Sequence, residues 1–351
     1  MFDFGEKSFI GVDIGTATIK VAEVKIKNKK PALSNYAVIK IPTKKNIVGK
    51  PLSEKFLAEL LKKLLRDGKI SKGIFFFSVQ SFGALLTLVN LPQIPDQDLE
   101  QAIQFEAHKY IPTSLDQVSL SWAVVNDHES KDSSQKQEGE QILLVAVPNS
   151  RLERYENIAQ MAGLKIEAME IESFSLARAL VGKDNGKFMI VDIGSRVCNI
   201  ILVEKGDIQV SRNIDAGGKD ITKAISVGLS VDKDRAEKLK TSKRDFLGSE
   251  SIVKFSCLDL ILEEIKRVLV SNYKKDEITG VIDGIILSGG TANLIGLEKY
   301  FSDKTGIKTR IGDPFGRIAC DNISEEKLKK IGSQFSVAFG LALKSLEENS
   351  F

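Results

Sequence analysis

Two aspartates stand out for chemistry in this chain. Asp13 ends the apolar run in FIGVDIGTATIKVAEV, and Asp192 ends the matching run in FMIVDIGSRVCNIILV. Each is followed by isoleucine, glycine and a hydroxyl residue: Ile14, Gly15 and Thr16 in the first copy, Ile193, Gly194 and Ser195 in the second. A tight turn after a buried strand aims successive backbone amides outward as an anion-binding concavity. Gly15 and Gly194 let the backbone bend there and approach a ligand closely. The Gly15-Thr16-Ala17 and Gly194-Ser195-Arg196 turns therefore suit a nucleotide's phosphate chain, with Thr16 and Ser195 as added hydroxyl donors. Lys20 is the natural point charge for the outer phosphates. Carboxylates from opposite halves, Asp13 and Asp192, are placed to hold a magnesium ion through its waters. The plainer alternative is that each aspartate only caps its own turn through an Asx hydrogen bond.

Elements that would position these residues follow from periodicity. Phe9–Val12 reads as a buried strand, Ile19–Ile26 as a half-buried one and Ala37–Ile41 as a third, with a loop at 42–50. An apolar stripe from Leu52 to Leu65 predicts a helix, and 73–79 another buried strand. From 84 to 171 we expect an inserted module: strands at 84–91, 120–125, 142–147 and 165–171, and helices at 96–110 and 151–162. The polar segment at 128–141 within it reads as a mobile surface loop. A second strand run begins at Phe188, with a hairpin about Lys205-Gly206. Helices are expected at 220–229, 233–239 and 251–273, a strand at 284–287, a helix from about Leu294, a short strand at 308–311 and a closing helix from Ser333 to Leu346. Repetition of the strand–Asp-Ile-Gly–strand unit implies two related cores facing one another. A third turn, Ser288-Gly289-Gly290-Thr291, follows the buried strand in GIILSGGTANLIGLEKYF, and would let a flat base or sugar lie against bare backbone beside helix amides.

Composition narrows the function classes. The 50 basic against 47 acidic residues, a net charge of +3, give no reason to expect nucleic acid as a partner. No stretch approaches the roughly 20 apolar residues of a membrane-spanning helix, and the start of the chain lacks the pattern of a secretory signal. Cys198, Cys257 and Cys320 are widely spaced and read as reduced thiols in the cytosol.

The ordered triple DIGTATIK, VDIGSRVCNI and LSGGTANLIGL resembles the phosphate-one, phosphate-two and adenosine motifs of the actin, Hsp70 and sugar-kinase superfamily. The module inserted between the first two motifs is similar to that of the FtsA and PilM families. Within that pair LPQIPDQDLEQAIQFEAHKYIPTSLDQVSLSW, AGLKIEAMEIESFSLARAL, NIDAGGKDITKAISVGLSVDKDRAEKLK, IGDPF and VAFGLALKSL resemble the PilM family of type IV pilus assembly. The resemblance implies an α/β, actin-like (ribonuclease H-like) two-lobed ATPase fold with an FtsA/PilM-type, SHS2-like subdomain. Its parts would be 1–83 and 172–187 for the first lobe, 84–171 for the insert, 188–330 for the second lobe with a helical part at about 220–280, and 331–351 for a helix returning to the first lobe.

That resemblance also implies roles. ATP and magnesium are the expected ligands. Gly217 and Gly218 of DAGGKD would line the cleft, and Glu237 and Lys240, three apart on one helix face, would border ribose and adenine rather than form a plain surface ion pair. Glu172 aligns with an acid that orients the attacking water in filament-forming relatives, or else caps the helix after it. Arg196 departs from the smaller residues usual after the second glycine. It would either touch phosphate or crowd the terminal position, which implies weak or absent ATPase activity. The expected function is a cytoplasmic ATP-binding scaffold at the inner membrane, held there by the N-terminal cytoplasmic tail of PilN, with other pilus platform proteins and self-association as further contacts. Phe105, Tyr110 and Trp122 are either anchors for that tail or core of the module. An FtsA-like filament protein of cell division is the alternative; its terminal membrane-binding helix has no counterpart in the sequence reading. A small-molecule kinase would need an acceptor-site base, for which no motif is seen.

Overall fold

The computed structural model describes residues 7–27, 30–42, 52–125, 140–249, 251–273, 281–316, 318, 320 and 323–345. Of the loops expected at 42–50 and 128–141, residues 43–50 and 128–139 lie outside the described residues, and 140–141 begin a strand. The first part of the chain forms β1 (Ser8–Ile14), β2 (Thr18–Lys27), β3 (Lys30–Lys40), α1 (Glu54–Asp67) and β4 (Ile74–Val79). Then come β5 (Leu85–Leu91), α2 (Asp96–Ala107), β6 (Val118–Val125), β7 (Glu140–Pro148), α3 (Asn149–Ala162), β8 (Ile166–Ile171) and α4 (Glu172–Leu180). The second part holds β9 (Lys187–Ile193), β10 (Cys198–Glu204), β11 (Asp207–Ile214), α5 (Gly218–Gly228), α6 (Lys233–Lys240) and α7 (Ser256–Asn272). It closes with β12 (Gly284–Ser288), α8 (Leu297–Thr305), β13 (Thr309–Ile311) and α9 (Glu325–Ala342).

The suspected duplication is visible in the strand order. One sheet runs β3-β2-β1-β4-β8 and another β11-β10-β9-β12-β13. In each, three antiparallel strands continue into two parallel ones. Strands covered on both faces should read as near-continuous apolar runs, and β1 and β9 are buried along most of their length. Helices α1 and α3 cover the outer face of the first sheet through Leu57, Leu61, Tyr155 and Ile158. On the outer face of the second, α5, α7 and α8 bury Ile221, Ile225, Ile261, Ile265 and Phe301. Between the sheets lie α4 and α9, in a core shared by Phe76 of the first lobe, Ile201 and Ile286 of the second, and Phe335 and Phe339 of α9. Gly11 makes that packing possible. A Cβ there would stand 1.9 Å from the Ala338 carbonyl oxygen of α9.

Pairing redraws the insert. The sequence reading assigns every element from 84 to 171 to it, yet β8 pairs with β4 and α3 packs on the first lobe. Among the described residues of the insert, only β5-β7-β6 forms a separate sheet, with α2 across it through Ile103 and Ala107. β5 also packs on β11 of the second lobe.

Three helix starts differ from expectation for local reasons. α7 begins at Ser256, because Val253 and Phe255 reach the core from non-helical chain. The helix expected from Leu294 is a 3-10 turn, Gly290–Asn293, and then α8, since Gly296 at φ 83 interrupts any continuous helix. α9 starts at Glu325 instead of Ser333, with Glu325 and Glu326 matched to the positive end of its dipole.

Candidate functional site

Asp13 and Lys20 face each other across the β1–β2 hairpin, whose register pairs them directly. Lys20 Nζ lies 2.8 Å from Asp13 Oδ2, and the Ser78 hydroxyl approaches Asp13 Oδ1 at 3.4 Å. The turn between them closes with Gly15 N–H donating to the Thr18 carbonyl at 3.0 Å, leaving Thr16 and Ala17 at its tip. β9 and β10 build the second copy, where Gly194 N–H donates to the Val197 carbonyl at 3.0 Å. Burial pulls the Lys20 ammonium down, but Asp13, and beyond it Asp192 and Glu172, outweigh that and hold it above its ordinary value.

Asp192 lies within the electrostatic field of Lys20 and Asp13. Burial pushes its carboxyl up to about 6, Lys20 and the Ser288 hydroxyl pull against that, and Asp13 adds to the rise. Glu172 completes the group. Burial, then Asp192 and Asp13, push it up to about 7, while the Ser81 amide and Asn199 act the other way. Glu172 does not cap α4, whose N-cap is Ile171. Its Oε1 instead accepts from Ser81 N–H at 3.0 Å and from Asn199 Nδ2 at 2.7 Å, tying the strand end of the first lobe to β10 of the second. Two buried carboxyls, Asp13 and Asp192, and the half-buried Glu172 thus lie within the field of one lysine, a charge imbalance that a divalent cation would neutralise. No group of three or more His, Cys, Asp or Glu able to hold a metal directly occurs among the described residues.

A second cluster adjoins the Gly194 turn. Gly218 N–H donates to the Gly194 carbonyl at 2.9 Å and Lys219 N–H to the Ser195 carbonyl at 2.8 Å, so the start of α5 is laced to the turn. A Cβ on Gly217 would lie 2.9 Å from the Gly194 carbonyl oxygen, and one on Gly218 would lie 2.7 Å from Thr291 Oγ1. Lys240 reaches into the same place, donating to the Gly218 carbonyl at 3.0 Å and to Thr222 Oγ1 at 2.9 Å, and pairing with Glu237 at 2.7 Å. Burial would raise Glu237, but Lys240 and Thr222 hold it below the usual carboxylate range. Gly289 has φ 85, and a Cβ on it would collide with the Ile193 carbonyl oxygen at 2.4 Å; over Gly290 nothing lies within 4 Å.

The Arg196 side chain has protein partners of its own. It forms a two-pronged pair with Asp215 at 2.9 and 3.2 Å and lies over the Phe82 ring at the rim. Of the three aromatics in the insert, Phe105 is 73% and Tyr110 42% exposed, whereas Trp122 packs on the insert core. Sequence reasoning missed Asn199, Ser81 and Ser333. Ser333 holds the third turn through its carbonyl, which accepts from Gly289 N–H at 2.9 Å and Ser288 Oγ at 3.1 Å. A signal for Asn199 was present, since it is the one polar side chain inside the run CNIILV. The register sets Ser288, Asp192, Asn199 and Asn213 side by side across four strands, a polar row in a sheet that is otherwise apolar at its centre.

Comparison with known proteins places this geometry. FtsA of Staphylococcus epidermidis is 27% identical over 146 residues, which is 36% of this chain and 32% of that protein, so the chain spans about a third of that relative's length. Among solved structures, the PilM-PilN type IV pilus biogenesis complex aligns with a TM-score of 0.82 at 24% identity, covering 97% of this chain and 99% of that one. MreB5 of Spiroplasma citri bound to ADP aligns at 0.53 and 16% identity, covering 98% of both chains. These likenesses establish the actin-like two-lobed fold. The sequence model for type IV pilus assembly protein PilM matches residues 11–346, nearly the whole length on which both hairpins, the insert and α9 are built, and the chain accordingly belongs to the PilM family.

Proposed function

We propose that this protein is an ATP-binding scaffold of type IV pilus biogenesis, which takes up the N-terminal cytoplasmic segment of a PilN-type membrane protein. The observation that carries the nucleotide reading is the meeting of the two halves at Lys20, ion-paired to Asp13 and within the field of Asp192. Two glycine turns flank that meeting point, and the third turn with Gly218, Lys240 and Glu237 forms a backbone-lined shelf for ribose and base. The MreB5 relative of the same fold was solved with ADP, which supports the reading. Magnesium supplies charge neutralisation of the phosphates when bound; Asp13 and Asp192 would hold its waters.

For the partner, the solved PilM-PilN complex supports a PilN-type tail. α2 carries the exposed Phe105 and is followed by the exposed Tyr110, so this edge of the insert offers aromatic anchors to a docking peptide. No helix among the described residues is long and apolar enough to cross a membrane, and attachment to the inner membrane would come through the partner. Nucleotide acts mechanically in this scheme. Binding across the cleft favours one arrangement of the lobes by its differential affinity for it, and the insert, packed on β11, follows. Titrating a fluorescent tail peptide with and without ATP and magnesium tests this. Tighter binding with nucleotide is expected. Equal affinity in both conditions defeats the coupling, and no affinity in either defeats the partner assignment.

A further inference from the structure

The insert joins the first lobe at two chain crossings: residues 80–84, between β4 and β5, and the junction of β7 with α3 at Pro148 and Asn149. The start of α3 grips both. Asn149 holds the insert, its Nδ2 donating to the Asp116 carbonyl at 2.8 Å and its Oδ1 accepting from the Ser119 hydroxyl at 2.9 Å. Arg151, in the same helical turn, holds the other crossing. Its Nη1 donates to the carbonyls of Gln80, at 3.4 Å, and Phe82. The guanidinium also covers Gly83, at φ 80, where a Cβ would stand 2.5 Å from Nη2. A planar fork can fix the shape of a loop through two of its carbonyls, and a point charge cannot. The body of α3 is seated in the first lobe by Tyr155 and Ile158, which makes its first turn a pivot.

The loop that Arg151 holds touches both sides of the cleft. Gln80 Nε2 donates to the Ile14 carbonyl, beside the first glycine turn, at 3.1 Å. Ser81 N–H donates to Glu172. The Ser81 hydroxyl lies 3.0 Å from that of Ser173, which lies 3.0 Å from that of Ser211 on β11 of the second lobe. The Phe82 ring lies under Arg196, from the second glycine turn. After a tight turn closed by Ala84 N–H on the Ser81 carbonyl, the same chain enters β5.

On the reading that the cleft binds ATP and the insert takes the tail, we propose that Arg151 is the positioning residue that couples them. It ties the 80–83 loop to the base of the insert, so that a shift of the glycine turns tilts the insert as one body about the start of α3. A single crossing is a hinge, in which a few residues, Gly83 among them, absorb a displacement by changing φ and ψ. Locking it to the second crossing through Arg151 removes that freedom, and Asn149 passes the motion to β6.

Hydrogen exchange of the full chain with and without ATP and magnesium, beside tail-peptide binding in the same conditions, tests this. In the wild type, nucleotide is expected to slow exchange at both glycine turns and also in β5 and β6, and to tighten peptide binding by at least about fivefold. Arg151→Ala should keep the slowing at the turns, lose it in β5 and β6, and bind the peptide within about twofold in the two conditions. A merely structural role would raise exchange in the loop equally in both conditions and leave the nucleotide difference intact. Arg151→Lys keeps the charge without the fork and should behave as the alanine variant does. Asn149→Ala removes only the grip on the insert, should show the same loss in weaker form, and carries the test if the Arg151 variants fail to fold. Slowing in β5 and β6 that survives in these variants, or that is missing from a wild type whose turns are protected, overturns the proposal. Wild-type turns that nucleotide does not protect overturn the nucleotide reading itself, and with it the coupling. A peptide that binds in neither condition overturns the partner reading alone, since the exchange pattern is read without it.

Discussion

Replacing Glu172 by glutamine should stabilise the nucleotide-free protein, and only above about pH 5. The carboxyl is raised from 4.5 to about 7, chiefly by burial and then by Asp192 and Asp13. A carboxyl with a raised folded-state pKa keeps its proton longer in the folded protein than in the unfolded chain. Stability is therefore present in full below 4.5 and is lost as pH rises through the interval up to about 7. At about 1.4 kcal/mol per pH unit, that interval is worth on the order of 3 kcal/mol. Glutamine keeps an oxygen for the Ser81 and Asn199 donors and removes the charge. For a chain of 351 residues the unfolding entropy is roughly 0.7 kcal/mol/K, so the gain at pH 8 corresponds to a Tm increase of about 4 °C. Thermal unfolding of both proteins from pH 5 to pH 8 reads this directly. The two curves should converge toward pH 5, with Asp192, raised to about 6, leaving a shallower slope of the same sign in the variant. A Tm difference that does not change with pH, or a less stable variant at pH 8, would refute the electrostatic account.

Other perturbations act on separate links. Gly11→Ala puts a methyl against the Ala338 carbonyl of α9 and should cost about 3 kcal/mol or more, seen as a lower denaturant midpoint. Gly218→Ala crowds Thr291 and the Lys240 ammonium, and should weaken binding of an ATP analogue by about tenfold with little loss of Tm. Binding of nucleotide with magnesium should strengthen from pH 5.5 to pH 7.5, as Asp192 and Glu172 ionise, and titration calorimetry at the two pH values would show it. Phe105→Ala removes an exposed ring and should leave Tm within about 1 °C while lowering tail-peptide affinity by about tenfold, measured by fluorescence anisotropy.

Much of this was legible from order and type of residues alone. The strand–Asp-Ile-Gly–strand units at 13 and 192 were readable because buried strands in such sheets are apolar runs, and a glycine turn stands out after them. Their repetition announced two cores of one topology, which the matching strand orders display. The helix stripe over α1, the Lys205-Gly206 turn with both φ angles positive, and the stop at Gly163 are local effects of the same kind. What lay beyond local reading depended on partners distant in the chain. β8 looks like part of the insert until β4 claims it as a neighbour, and no periodicity encodes which edge a strand will join. Arg196 reads from its turn as touching phosphate or crowding the terminal position, and its pairing with Asp215, just beyond β11, is a contact that no local pattern encodes.

The sequence by itself determined the nucleotide-type hairpins, the duplication and the presence of an insert, because each is a pattern of neighbours along one strand or turn. Only the tertiary structure decided that Asp13, Asp192 and Glu172 crowd about Lys20, that Asn199 rather than a capping interaction holds Glu172, and that α9 lies against Gly11 between the lobes. Those outcomes are set by charge, burial and close packing between segments far apart in the chain. Such quantities exist only once the two sheets face each other.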